Sequence, residues 1–331
     1  LPIILLSLKN RIFNINSESE FNKTALEVFH YQYTNNSIYH QFCNYLNISP
    51  SKITSVAHIP YLPIEFFKSH KIKTGNFKEE KTFLSSGTTG ANQSKHFVKE
   101  VAIYEKSYLK AFHHFYGDIT TYCVLALLPS YLEREGSSLI YMAEDLVEKS
   151  EHPNSGFFLD NHYDLVDILK ENIKNKQKTI LIGVSFALLA LAEAYQINLA
   201  DVIIMETGGM KGRRKELTRV ELHRIYKESF NVSSIHSEYG MTELLSQAYS
   251  KGNGVFKTPN WMKVLIRDIN DPFHIIADKK TGGINIIDLA NIDSCSFIAT
   301  QDLGKKVSDK EFEVLGRFDN SDLRGCNLLI S

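Results

Sequence analysis

The chain reads Phe83-Leu84-Ser85-Ser86-Gly87-Thr88-Thr89-Gly90, an apolar pair followed by a loop of hydroxyls and glycines. Glycine accepts the positive-φ conformations in which successive N–H groups point into one concavity, and the hydroxyls add donors around the same volume. The loop from Ser85 to Gly90 therefore predicts binding of anionic oxygens, in particular those of a polyphosphate. It is not a GxxxxGK[ST] loop, because no lysine follows until Lys95. An ordinary surface turn is the alternative that this stretch alone leaves open.

The composition narrows the class of protein. The 331 residues are 43% hydrophobic and carry a net charge of −1, so nothing favours nucleic acid, whose binders present a basic face. The four cysteines are far apart, with no CxxC pair and no spacing typical of a metal site. No apolar stretch is long enough for a membrane helix or has the form of a signal peptide. These features predict a reduced, cytoplasmic protein.

The hydrophobic pattern predicts an α/β fold with two regions. Aromatic residues at helical intervals predict helices over residues 18–48. From residue 120 onward strands and helices alternate, which predicts a mainly parallel sheet flanked by helices. After residue 255 short strands dominate, among them 262–266, 273–277 and 283–288, and these predict a small antiparallel β subdomain. We therefore expect two regions, an α/β region at 1–254 and a β-rich region at 255–331.

Further clusters carry possible chemistry. In Tyr239-Gly240-Met241-Thr242-Glu243 an aromatic face beside a glycine suits a nucleotide base. The Thr242 hydroxyl can donate a hydrogen bond to a phosphate, and Glu243 offers a hard oxygen ligand for Mg²⁺. Asp302 follows a predicted strand, where its carboxylate suits the hydroxyls of a ribose. Arg317 lies in a Gly-Arg-Phe-Asp run. Taken singly, a core tyrosine, a turn aspartate and a solvated charge run are the alternatives.

Together and in this order the motifs resemble the adenylate-forming superfamily of acyl-CoA synthetases, luciferases and peptide-synthetase adenylation domains. The resemblance implies that ATP phosphates bind at Ser85–Gly90 and that Tyr239, Gly240 and Thr242 contact the adenine and phosphate. It places Mg²⁺ on Glu243 and the ribose on Asp302 and Arg317. Gly208 and Gly209 correspond to the glycine loop that lies against the adenine.

A narrower match, over residues 29–32, 59–68, 85–90, 207–213 and 239–243, resembles the LuxE-type acyl-protein synthetases. That resemblance implies activation of a long-chain fatty acid with ATP and transfer of the acyl group to an enzyme cysteine, for hand-over to an acyl-reductase subunit. The family's acceptor lies near the C-terminus, and here it corresponds to Cys326. The neighbouring Arg324 would lower the pKa of that thiol, whereas a small buried hydrophobe is the usual role of a free cysteine.

Relatives in the superfamily continue into a mobile C-terminal domain with a catalytic lysine, and we expect that domain to be absent. Another cation must then offset the transition-state charge. Lys95 is one candidate, and Lys211 and Arg213 are favoured because they follow a strand-end loop. Two other functions stay open: an acyl- or aryl-CoA ligase similar to the phenylacetate ligases, and a non-catalytic nucleotide-binding scaffold subunit.

Overall fold

Helices form most of the first part of the computed structural model, which describes residues 2–86, 93–128, 136–159, 161–208 and 217–318. The Ser17 side chain accepts a hydrogen bond from the Glu20 N–H and caps the second helix, and Phe21, the first buried aromatic of this helix, follows one turn later. The helices predicted for residues 18–48 are thereby confirmed. The elements up to residue 78 are α1 (Pro2–Ile12), α2 (Glu18–Asn35), α3 (Ser37–Tyr45), β1 (Leu62–Pro63) and α4 (Phe66–Ser69).

Residues 79–259 form a compact unit of their own, unit 2. A small antiparallel hairpin comes first, and strands then alternate with helices as the sequence predicts. Its elements are β2 (Lys81–Leu84), β3 (Lys95–Val98), α5 (Val101–Tyr116), β4 (Cys123–Leu127), α6 (Ser138–Lys149), β5 (Gly156–Phe158), α7 (His162–Lys174), β6 (Thr179–Val184), α8 (Ser185–Ala194), β7 (Val202–Thr207), α9 (Arg219–Phe230), β8 (His236–Tyr239), β9 (Ala248–Ser250) and β10 (Val255–Lys257).

The main sheet of unit 2 has the order β10-β9-β8-β7-β6-β4-β5. Its strands from β8 to β5 are parallel, and β9 and β10 continue antiparallel. β4 and β6 are buried along their whole length, as expected where helices cover both faces of a parallel sheet. In such sheets ligands bind beyond the carboxyl ends of the strands, which here are the ends near Thr207 and Tyr239.

The last described strands form an antiparallel sheet, β11 (Met262–Arg267), β12 (Thr281–Asp288), β13 (Phe297–Ser308) and β14 (Glu311–Arg317). The predicted antiparallel subdomain is confirmed, but the strand predicted for residues 273–277 is wrong. Asp268 accepts hydrogen bonds from the N–H groups of residues 270 and 271, and Asp271 accepts one from Phe273. These side-chain bonds hold residues 268–273 in turns. Beyond them, only an isolated bridge joins Ile275 to Arg267 of β11.

This sheet belongs to the same compact unit as the N-terminal helices, unit 1, which combines residues 1–78 with residues from Asn260 onward. The upper limit of unit 2 lies close to the boundary expected at residue 254, whereas residues 1–78 group with the β-rich part. The Gln32 side chain explains this grouping. It donates to the carbonyls of Asn291 and Ile292, both at 3.0 Å, and accepts from the Ser296 N–H at 2.9 Å.

The core of unit 1 is aromatic. Phe29 and Tyr39 pack their rings against Phe297, with centroids 6.2 and 6.0 Å apart. Lys9 forms an ion pair with the largely buried Asp293 at 2.5 Å.

None of the helices in the described ranges has the length and apolar character needed to cross a membrane.

Candidate active site

The hydroxyl-rich loop connects β2 to β3. Pairing of these strands ends at Leu84 and Lys95. Beyond that pair, the Ser85 N–H donates to the Ser94 carbonyl at 3.1 Å, and the Ser94 N–H donates to Ser85 Oγ at 2.9 Å. The Ser85 side chain therefore closes the base of the loop. Ser86 is half-buried beside it, and Lys95 is exposed. Gly87, Thr88, Thr89 and Gly90 lie outside the described residues.

The carboxyl ends of β7 and β8 lie side by side. Thr207 is the register partner of Glu238, and its hydroxyl donates to Glu238 Oε2 at 2.5 Å. Gly208 follows with φ +72°, a left-handed conformation that favours glycine and turns the chain out of the sheet. Gly209, Lys211 and Arg213 lie outside the described residues, so their roles stay predictions.

A buried hydrogen-bond network stabilises the end of β7, and the sequence analysis did not identify it. Glu206 is 5% exposed. Its Oε1 accepts from the Ser185 hydroxyl at 2.7 Å, and its Oε2 lies 2.8 Å from His223 Nε2. Ser185 Oγ also lies within 3.2 Å of the Gly208 carbonyl, and Tyr226 donates to the Ser185 carbonyl at 2.7 Å. The network therefore ties α8, α9 and the glycine turn to one carboxylate.

Tyr239 and Gly240 form a tightly packed turn at the end of β8. The Tyr239 ring is buried and lies 5.8 Å from the Phe256 ring. A Cβ on Gly240 would lie 2.4 Å from Glu238 Oε1, so a larger residue at this position would displace the Glu238 carboxylate. Glu243, three residues later, is 6% exposed. The backbone and buried tyrosine thus leave little freedom in the orientation of this motif.

His96 joins the hairpin of the hydroxyl loop to this turn. The imidazole Nδ1–H donates to the Thr242 carbonyl at 2.8 Å. Burial lowers the pKa of His96 to about 4, so the ring is neutral near pH 7. Unit 2 therefore brings the base of the predicted phosphate loop and the Tyr239–Glu243 motif together through one buried side chain. Sequence reasoning missed His96, although its place two residues after Ser94 on a short strand was a signal.

Glu238 is a second group that sequence reasoning missed. Burial raises the pKa of its carboxyl to about 7, and the Thr207 hydrogen bond opposes that rise. Tyr104, Tyr116 and Tyr249 face the same carboxyl. A carboxylate directly before Tyr239, at a strand end, was the available signal.

Unit 1 pairs the two predicted ribose-binding residues. Asp302 on β13 is the register partner of Arg317 on β14. Arg317 Nε donates to Asp302 Oδ1 at 3.2 Å, and the Asp302 side chain is 11% exposed against 62% for Arg317. An accessible arginine beside a largely buried carboxylate suits a polar ligand that needs both an acceptor and a cation. The predicted acyl acceptor, Cys326, lies outside the described residues.

The described residues fit Mg²⁺ only as an ion carried by a phosphate ligand. Within the described ranges no group of three or more His, Cys, Asp or Glu side chains could hold a metal ion. Mg²⁺ commonly takes one or two carboxylates and completes its shell with substrate phosphates and water. A single carboxylate such as Glu243 is sufficient for that arrangement.

The family comparison agrees with these motifs. The profile of the LuxE acyl-protein synthetases matches residues 6–331. This chain belongs to the LuxE family. It is thereby an adenylate-forming ligase, and the α/β fold predicted from the sequence is confirmed. A comparison with curated protein sequences gives no match.

Solved structures of adenylate-forming ligases have the same fold as this LuxE-family chain. The first is an open conformation of 2-hydroxyisobutyryl-CoA ligase with 2-HIB-AMP and CoA: 12% identity, TM-score 0.68, covering 92% of this chain and 72% of the ligase. The second is ATP-bound MatB from Rhodopseudomonas palustris: 14% identity, TM-score 0.54, covering 71% of this chain and 47% of MatB. The match with MatB thus covers about half of that protein's length. At these identities the likeness concerns the fold.

Proposed function

We propose that this protein activates a long-chain fatty acid with Mg·ATP and then transfers the acyl group to Cys326 as a thioester. The family match supports adenylation, and the motif order in units 1 and 2 supports the individual residue roles. An acyl-reductase subunit is the proposed consumer of the acyl-protein.

In the first step a carboxylate oxygen attacks the α-phosphorus of ATP, the bond to the pyrophosphate oxygen breaks, and acyl-AMP and pyrophosphate form. We assign phosphate contacts to Ser85–Gly90 and Thr242, and adenine contacts to Tyr239, Gly240, Gly208 and Gly209. Asp302 and Arg317 would hold the ribose. Lys211 and Arg213 would offset the charge that develops on the phosphate. Glu243 would hold Mg²⁺, which when bound neutralises phosphate charge.

In the second step the Cys326 thiolate attacks the acyl carbonyl carbon, the carbon–oxygen bond to AMP breaks, and AMP leaves with the electron pair. The observation that carries this assignment concerns the three cysteines within the described residues, Cys43, Cys123 and Cys295, which are all buried. Burial raises the pKa of Cys43 and Cys295 to about 12 and also raises that of Cys123. Buried thiols with raised pKa are poor nucleophiles, which leaves Cys326 as the candidate.

The test is labelling with a radioactive long-chain fatty acid and ATP. We expect a hydroxylamine-sensitive acyl-protein from the wild type and from Cys43→Ala, a matched control that removes a buried thiol. Cys326→Ala should lose the label while retaining fatty-acid-dependent ATP–pyrophosphate exchange, because adenylation precedes the thiol step. Full labelling of Cys326→Ala would remove this residue from the reaction. Turnover that requires coenzyme A, without acyl-protein, would instead favour the acyl-CoA ligase alternative.

A further inference from the structure

Asp302 lies on an irregular bulge in β13. Gly283 of β12 pairs with Leu303, and Asn285 pairs with Ala299. The single residue between them on β12, Ile284, therefore faces three residues of β13, namely Thr300, Gln301 and Asp302. A bulge interrupts the ladder and redirects side chains, so the position of Asp302 depends on what fills the interrupted ladder.

The side chain of Arg267, at the end of β11, fills this space. The residue is 9% exposed. Its Nη1 donates to the Ile284 carbonyl and to Asn285 Oδ1, both at 2.8 Å, and its Nη2 donates to the Thr300 carbonyl at 2.5 Å. The planar fork thus satisfies carbonyls on both sides of the bulge, which the point charge of a lysine cannot do in the same way.

Gly283 provides the room for the guanidinium. A Cβ at this position would lie 2.4 Å from Arg267 Cζ. Because the guanidinium is held by hydrogen bonds to two strands, it cannot move aside without breaking them. The position of the Arg267 guanidinium therefore requires a glycine at its register partner on β12.

Thr300 links the hydrogen bonds of Arg267 to the backbone of Asp302. Its hydroxyl donates to the Ile284 carbonyl at 2.9 Å and accepts from the Asp302 N–H at 3.1 Å. Its carbonyl is the one that Arg267 binds. On the other side of the bulge the Gln301 carbonyl accepts from the Phe318 N–H at 2.8 Å, and the guanidinium of Arg267 lies 5.4 Å from the Phe318 ring.

We propose that Arg267 is a positioning residue that holds the bulge of β13 so that the Asp302 carboxylate accepts the ribose hydroxyls of the nucleotide. This inference rests on the proposed nucleotide role of Asp302. Arg267 touches neither the nucleotide nor the acid, and it acts through Thr300. Substitution of Arg267 should consequently change recognition of the ribose and leave recognition of the fatty acid unchanged.

The experiment compares ATP with 2′-deoxyATP and 3′-deoxyATP, using calorimetric Kd values and KM values in pyrophosphate exchange. For Arg267→Lys we expect Kd and KM for ATP to rise about tenfold, the usual size of one lost charge-assisted hydrogen bond. The values for the deoxy nucleotides should change little, so that the preference for ATP shrinks. The KM for the fatty acid should stay at the wild-type value. Trp261 fluorescence and circular dichroism establish that each variant is folded.

Two further variants separate positioning from a general loss of stability. Thr300→Val removes the acceptor of the Asp302 N–H and should weaken ATP preference in the same direction, whereas Thr300→Ser keeps the hydroxyl and should retain it. Lys306→Met, on the same strand, removes ion pairs with Asp278 and Asp309 and should leave nucleotide preference unchanged. If Arg267→Lys proves unstable, the pair of Thr300 variants still decides the question.

Asp302→Asn distinguishes failure of this inference from failure of the proposed function. If Asp302→Asn loses ATP preference while folded Arg267→Lys and Thr300→Val keep it, the positioning role is overturned and the ribose role stands. If Asp302→Asn itself binds ATP and the deoxy nucleotides as the wild type does, the ribose role falls and the inference falls with it. A double variant that is no worse than Asp302→Asn alone would support action through Asp302.

Discussion

The buried carboxyl of Glu238 makes the stability of unit 2 depend on pH. It accepts from the Thr207 hydroxyl and lies against the backbone of Gly240. The pKa of Glu238 is raised from an ordinary value of 4.5 to about 7, chiefly by burial. The pKa of His236, two residues earlier, shifts in the opposite direction, because burial and the charge of Lys251 lower it to about 4.

These directions predict how the free energy of unfolding depends on pH. Between about pH 4.5 and 7 folded Glu238 binds more protons than the unfolded form, so its contribution to stability falls as pH rises through that window and is constant above it. Glu238→Gln should remove this loss. We expect the variant to gain on the order of 2–3 kcal/mol relative to the wild type between pH 5 and pH 8.

Urea unfolding followed by circular dichroism at several pH values measures this difference. Because His236 is present in both proteins, its own titration cancels in the comparison. Parallel stability curves for the wild type and Glu238→Gln would contradict the raised pKa.

At single positions the sequence indicated polar residues that the structure brings together, but it did not indicate the residues that support them. Asp302 and Arg317 were predicted to act together, and the structure pairs them directly. The network around Glu206, by contrast, comes from three distant segments that meet only in the folded unit. Such contacts have no sequence period, and a single chain does not reveal them.

Helix α9 shows at the level of elements how a local signal can be overlooked. The charged amphipathic pattern predicts a helix from Arg214 to Phe230, whereas the structure begins it at Arg219, after the cap at Thr218. Thr218 Oγ1 accepts from the Glu221 N–H at 3.3 Å, and Glu221 Oε2 accepts from the Thr218 N–H at 2.8 Å. A threonine followed three residues later by a glutamate is the sequence signature of this capping box.

The capping box at Thr218 should contribute measurably to the free energy of unfolding. Thr218→Ala should lower the free energy of unfolding by about 1 kcal/mol, because it removes the acceptor of the Glu221 N–H. Thr218→Ser keeps the hydroxyl and should stay within a few tenths of the wild-type value. Urea unfolding followed by circular dichroism compares the three proteins. Equal stability of the alanine variant would show that the cap contributes nothing to unit 2.

For the whole molecule, composition and strand–helix alternation were sufficient to predict the fold class, which the structure confirms. They could not predict that the N-terminal helices share a unit with β11–β14. That grouping depends on the Gln32 amide and on the Phe297 ring, whose partners lie more than 250 residues away along the chain. Hydrophobic periodicity predicts local secondary structure but does not identify partners that are so far apart in the sequence.

The Gln32 contacts make unit 1 sensitive to one buried amide. Gln32→Leu should lower its stability by about 3 kcal/mol, since it leaves buried carbonyls and the Ser296 N–H without their partner. The single tryptophan, Trp261, packs on Phe13 with centroids 5.1 Å apart, so its fluorescence follows unfolding of unit 1. Gln177→Leu is the matched control in unit 2, because its amide bonds are exposed and it should change little. Equal Trp261 transitions in the two variants would contradict the role given to Gln32.

The discontinuity of unit 1 has a consequence for synthesis on the ribosome. Residues 79–259 emerge as one uninterrupted stretch and can complete their own sheet while translation continues. Helices α2 and α3 emerge earlier but lack the strand that packs against their aromatic side chains until residues beyond 290 are made. During that interval their apolar side chains stay exposed, and we therefore expect these two helices to be bound by chaperones during translation.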